Sequence, residues 1–195
     1  MGRIFYLMGK SSTGKDSFYK QLIQDEMLDL KKIVMYTTRP IRAGEKDGEE
    51  YFFVDEAKLR ELEAAGKVVE QRSYDTIHGV WHYFTVCDER IDLAHENYVV
   101  IGTLESFVAS KAYFGDEVLV PVYIEVDDGI RLLRALDRER SQDHPKYREM
   151  CRRYLADCED FSEEKIEAAG IKKRFVNDDF GKCLEEIRSY LKAHI

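Results

Sequence analysis

"RIFYLMGKSSTGKDS", residues 3–17, decides the fold. Its first six residues are an almost unbroken apolar run and read as a short buried strand. Residues 9–15 follow with the spacing G-x-x-x-x-G-K, and from Lys15 an amphipathic pattern predicts a helix to about residue 30. The spacing alone is a weak signal, but a strand directly before it and a helix directly after it give it meaning. In that setting the backbone N–H groups of the turn and the helix N-terminus converge on one point, an arrangement that holds phosphate, and Lys15 reaches the outer phosphate oxygens.

One residue departs from the usual pattern. Asp16 occupies the position where a Ser or Thr normally follows the lysine, and the next hydroxyl is Ser17. A carboxylate in the first helical turn suits the helix dipole, and both side chains offer hard oxygen ligands. Gly9, Ser11, Ser12, Thr13, Gly14, Lys15, Asp16 and Ser17 are therefore candidate ATP-binding residues, with Ser17, and Asp16 beside it, as the candidate Mg²⁺ site.

Further along, "YVVIG" (98–102) and "VLVPVYIEV" (118–126) read as buried strands, separated by the helical "LESFVASKAYF". Strands alternating with helices predict an α/β fold of three layers around a parallel central sheet. Between residues 33 and 86 the texture changes: "KIVMYTT", "EEYFFV", "VVEQRSY" and "VWHYFTV" surround one helix, "DEAKLRELEAAG", that should stop at Gly66. This predicts an inserted mixed α+β subdomain. Residues 131–170 are charged and helical, and "RFVN" and a last helix close the chain. The expected organisation is one domain, 1–195, with a core of 1–32, 87–130 and 171–195, an inserted subdomain at 33–86 and a helical lid at 131–170.

The densest signal is "YTTRPIRAGEKDGEEYFFV", residues 36–54. Arg39 and Arg42 lie three residues apart and Tyr51 follows, a set of donors suited to a phosphate dianion. With the Gly-rich loop upstream and "FVNDD" downstream, this segment resembles the guanylate kinases, which are P-loop nucleoside monophosphate kinases. The resemblance implies that Arg39, Arg42, Tyr51 and Tyr83 grip the acceptor's phosphate. It also implies that Glu70 and Thr85 read a guanine base, with Thr103 alongside, and that Asn177 lies near the donor's adenine. Met35, Ile101 and Thr103 stand where the family carries a Ser and two Asp residues. Among the many arginines from 131 to 153, the resemblance singles out Arg138 and Arg153 as lid residues acting with Lys15 and Arg39 in catalysis, with Arg140 behind them. The implied reaction moves the γ-phosphoryl group of ATP, with Mg²⁺, to GMP or dGMP.

Two other functions fit parts of the chain. The run GKDS also occurs in related ribose bisphosphate phosphokinases, and guanylate-kinase-like domains serve elsewhere as protein-binding modules. The intact acceptor segment with Glu70 speaks against the first, and Lys15 against the second. His78 and Trp81, in "DTIHGVWH", are expected to roof the acceptor pocket or cover the small core, and His82 to play a structural part.

Charge narrows the partners. A net charge of -8 over 195 residues argues against binding nucleic acid or an anionic membrane, since both depend on neutralising phosphates with Lys and Arg. Four cysteines without a CxxC pair predict neither a disulfide framework nor a zinc site. No run approaches the roughly 20 apolar residues of a membrane span. A cytoplasmic monomer or homodimer is the expectation.

Overall fold

The computed structural model describes residues 1–76 and 79–195; His78 lies outside the described residues. Strand β1 (Ile4–Met8) is buried along its whole length, as its apolar run requires. Its side chains alternate between two cores: Phe5 and Leu7 enter one, while Ile4, Tyr6 and Met8 enter the other. A strand buried on both faces belongs in the middle of a parallel sheet. β1 pairs in parallel with β7 (Asn97–Ile101) and β8 (Leu119–Glu125). Adding β2 (Leu30–Lys32) and β9 (Arg174–Val176) at the edges gives the order β2-β7-β1-β8-β9, all parallel.

Helices cover both faces of this sheet. Phe18 and Leu22 of α1 (Lys15–Ile23) pack with Leu184, Ile187 and Leu191 of the last helix (Phe180–Lys192) on one side. Leu104 and Phe107 of α3 (Leu104–Phe114) pack on the other with Ile166 of α6 (Glu163–Ala168). Each large side chain buried in this way contributes about 1.5–3 kcal/mol.

Helix α1 is shorter than predicted. It ends at Ile23, and Asp29, at φ 42°, turns the chain into β2, where Leu30 pairs with Asn97. The apolar residues Leu28 and Leu30 that prolong the helical pattern are buried in the same core, as turn and strand.

The "KIVMYTT" run also divides. Lys32 ends β2, and β3 (Tyr36–Thr37) begins a second, four-stranded sheet of order β4-β3-β6-β5, with β4 (Phe52–Phe53), β5 (Val68–Thr76) and β6 (Gly79–Val86). Helix α2 (Glu56–Ala64) covers it. Asp55 caps its N-terminus by accepting from the Lys58 N–H, and Gly66 at φ 66° follows its end. Leu59 and Leu62 pack on Tyr36, Phe84 and Val86 to form a small separate core.

The charged region folds into α4 (Asp128–Arg140), α5 (Tyr147–Asp160) and α6. Arg131 ties it to the Gly-rich loop: it is 1% exposed, bonds Asp128 at 2.8 Å, donates to the Ser11 carbonyl at 3.2 Å and stacks over Tyr154. Among the described residues no helix is long and apolar enough to cross a membrane.

Candidate active site

The loop between β1 and α1 is built by its own backbone. An added Cβ at Gly9 would lie 2.4 Å from the Ile124 carbonyl oxygen, so this position has room for hydrogen only. Ser12 and Gly14 take φ of 66° and 92°, and the buried Thr13 hydroxyl donates to the Lys10 carbonyl at 2.9 Å. Asn177, 4% exposed, donates from its amide to the Thr13 carbonyl at 2.8 Å. Asn177 thus braces the loop, and the cap of the last helix, α7, falls to Asp179, which accepts from the Lys182 N–H.

A cleft of about 390 Å³ opens over this loop, lined by Ser12, Gly14, Lys15, Asp16, Ser17, Arg138 and Asn177, with Arg134 and Phe180 at its margin. The Ser12 hydroxyl is buried without a protein partner among the described residues, and a phosphate oxygen would satisfy it. Burial lowers the Lys15 pKa; Asp16 and Asp157 oppose that, whereas Arg153 and Arg138 add to it. Three cations therefore converge where a polyphosphate would sit. Asp16 and Ser17 are exposed in the first turn of α1, free to meet a metal that keeps most of its ligands from water and phosphate.

Ser11 behaves differently from its neighbours. Its N–H donates to Asp157 at 2.8 Å and its hydroxyl faces Arg153 Nη2 at 3.4 Å. Asp157 carried no sequence signal, since its role exists only once α5 crosses the loop.

A second cavity, of about 700 Å³, lies between the smaller sheet and α5. Arg42, Tyr51 and Tyr83 line one part of it, Met35, Arg72, Tyr74 and Trp81 another, and Glu149, Arg152 and Arg153 come from α5. Tyr51 and Tyr83 meet edge to face at 5.5 Å. Burial raises the Tyr51 pKa, so its hydroxyl remains a donor. Thr37 and Thr38 anchor the strand before this cavity through hydrogen bonds to the His82 backbone. His82 itself bonds the Ser73 hydroxyl at 2.8 Å.

Four predicted acceptor residues, Arg39, Glu70, Thr85 and Thr103, do not line this cavity. Arg39 is 3% exposed and holds Glu45 with both arms, at 2.9 and 2.8 Å, with its guanidinium over Tyr51 and Phe53. It thereby pins the loop that carries Arg42, whose N–H also donates to Glu45. Glu70 is buried, accepting from Thr85 at 2.8 Å and from Arg72 Nε at 3.0 Å. Thr103 caps α3 in a reciprocal pair with Ser106. Arg72, on the cavity wall, was given no role from the sequence. Alternation would have found Arg72, because positions 70 and 72 of a strand share a face.

A parallel sheet with a Gly-rich loop and lysine at the head of α1, beside a second cavity bordered by Arg152 and Arg153 of α5, is the arrangement of a P-loop phosphotransferase. The family model for guanylate kinase matches residues 1–93. Guanylate kinase from Porphyromonas gingivalis is 28% identical over 198 residues, covering 100% of this chain and 99% of the relative. That from Mycoplasma pneumoniae is 26% identical, covering 98% and 76%. The crystal structure of guanylate kinase from Anaplasma phagocytophilum shares the fold, with a TM-score of 0.65 at 19% identity, over 98% of this chain and 85% of that one. Along nearly its whole length the chain is similar to guanylate kinases.

Proposed function

We propose that this chain transfers the γ-phosphoryl group of ATP to GMP or dGMP, giving ADP and the diphosphate. The observation that carries the reading is Arg153: it lines the cavity of Arg42, Tyr51 and Tyr83 and also touches Ser11 of the loop beside Lys15. One side chain so placed joins a donor cleft to an acceptor cavity.

In this reading the loop backbone, Ser12 and Lys15 hold the donor phosphates, while Asn177 and Phe180 bound the adenine end of the cleft. Ser17, with Asp16 beside it, would hold Mg²⁺, which would supply charge neutralisation to the donor phosphates. Arg42, Tyr51 and Tyr83 fix the acceptor phosphate, with Arg39 shaping their loop through Glu45. Arg138 and Arg153 stabilise charge on the phosphoryl group in flight. No general base is required, because the acceptor phosphate is already largely ionised near neutral pH. Residues 131–170, closing over both sites, exclude the water that would otherwise hydrolyse ATP.

The test is a panel of GMP, dGMP, AMP, CMP, UMP and a ribose bisphosphate, each supplied with ATP and Mg²⁺ while ADP is followed. Turnover led by GMP or dGMP is expected. Equal turnover of AMP, or turnover of the sugar bisphosphate alone, overturns the assignment.

A further inference from the structure

Glu70 and Arg72 sit two residues apart on β5 and form an ion pair whose side chains are 2% and 13% exposed. Glu70 Oε1 accepts from Thr85 at 2.8 Å and from Arg72 Nη2 at 3.3 Å, and Oε2 accepts from Arg72 Nε at 3.0 Å. A carboxylate offers about four acceptor sites, so about one is left. Guanine's N1–H and 2-amino group need two in parallel. Supplying both means breaking the ion pair, which leaves a nearly buried guanidinium unpaired.

Arg72, in contrast, lines the acceptor cavity, and Glu70 and Thr85 do not. Its Nη2 also reaches the Met35 sulfur at 3.5 Å, and its Nη1 makes no hydrogen bond to the protein among the described residues. Burial disfavours its charge, but Glu70 outweighs that and raises its pKa, so the fork stays cationic. An arginine fork is the usual partner of a purine's O6 and N7 acceptors. Guanine and hypoxanthine present both atoms, whereas adenine turns an amino donor toward the fork.

We propose that Arg72 is the specificity-determining residue of the acceptor cavity. It reads the 6-oxo edge and leaves the 2-amino group largely unread, so the site takes 6-oxopurine nucleoside monophosphates as a class, IMP as well as GMP. This rests on the kinase reading above and deepens it.

The experiment compares kcat/KM for GMP, IMP and AMP in the unaltered chain and in Arg72→Met and Arg72→Lys. In the unaltered chain GMP and IMP are expected within about 10-fold of each other and both at least about 10-fold above AMP. Arg72→Met removes the fork and frees Glu70, so the GMP to IMP ratio should rise at least about 10-fold while the IMP to AMP ratio falls. Arg72→Lys keeps charge without the fork and should also lower the IMP to AMP ratio. Ratios within one protein cancel any loss of folded material. IMP more than about 100-fold poorer than GMP in the unaltered chain, or ratios unchanged in Arg72→Met, overturns the inference and leaves the kinase reading standing. Absence of turnover with both 6-oxopurines overturns the kinase reading itself.

Discussion

Arg153 of α5 donates from Nη2 to the Ser11 hydroxyl, 3.4 Å away, and so bridges the phosphate loop and the cavity that holds Arg42. Arg153 also adds to the depression of the Lys15 pKa. Arg153→Ala should lower kcat by about 100-fold, the loss of roughly 3 kcal/mol of charge stabilisation in the transition state. Its side chain is exposed, so thermal stability should hardly change. Steady-state kinetics beside a melting curve separates the two effects. A normal kcat would remove Arg153 from the transfer step.

Lys15→Ala should cost at least about 100-fold in turnover with the fold intact, since a preorganised cation at the developing phosphate charge is worth about 3 kcal/mol or more. Asp16→Ser is expected to keep activity, with the Mg²⁺ dependence unchanged or tighter, because Asp16 is exposed at the start of α1 and Ser17 beside it keeps a hydroxyl for the metal. Loss of activity in Asp16→Ser, measured across a Mg²⁺ titration, would make the carboxylate a required metal ligand.

Much of this was legible in the sequence, for physical reasons that differ by region. β1, the loop and the start of α1 are local: an apolar run, glycines at tight turns and a helical period carry them in full. The end of α1 was not legible, because Leu28 and Leu30 continue the helical pattern and only the pairing of Leu30 with Asn97, remote in sequence, makes a strand of them. Arg39 and Arg42 look equivalent in the motif. Only the folded loop gives Glu45 to both arms of Arg39 and leaves Arg42 on the cavity wall. The link of α4 and α5 to the loop through Arg131 and Asp157 depends on how these helices cross it, which no local pattern encodes.

Gly9→Ala should destabilise the fold through packing. The new Cβ would meet backbone, the Ile124 carbonyl oxygen at 2.4 Å, so β8 must shift. Overpacking of this kind costs about 1–3 kcal/mol, or a Tm lower by about 3–9 °C at this chain length. Calorimetry checks it. An unchanged Tm would show that the loop relaxes freely.

Alkali should weaken the fold from about pH 9 upward. Burial pushes the Tyr6 and Tyr123 hydroxyls up to about 12 and the Cys183 thiol up to about 11. The unfolded chain therefore loses these protons first, and the stability they contribute is complete below about pH 9 and lost as pH rises toward 12. Lys15, whose pKa burial lowers, works in the opposite direction over part of that range. Urea midpoints at pH 8, 9.5 and 11 should fall in that order. A midpoint constant to pH 11 would contradict the assigned burial of these groups.

The most direct test of a single transfer site spanning both cavities is the fate of label from γ-labelled ATP in a single turnover with GMP and Mg²⁺. Label should appear in GDP in step with ADP formation, with little released as inorganic phosphate, because Lys15, Arg138 and Arg153 hold the group between donor and acceptor while the lid keeps water out. Label recovered as inorganic phosphate, or retained in ATP while both nucleotides bind, would contradict it.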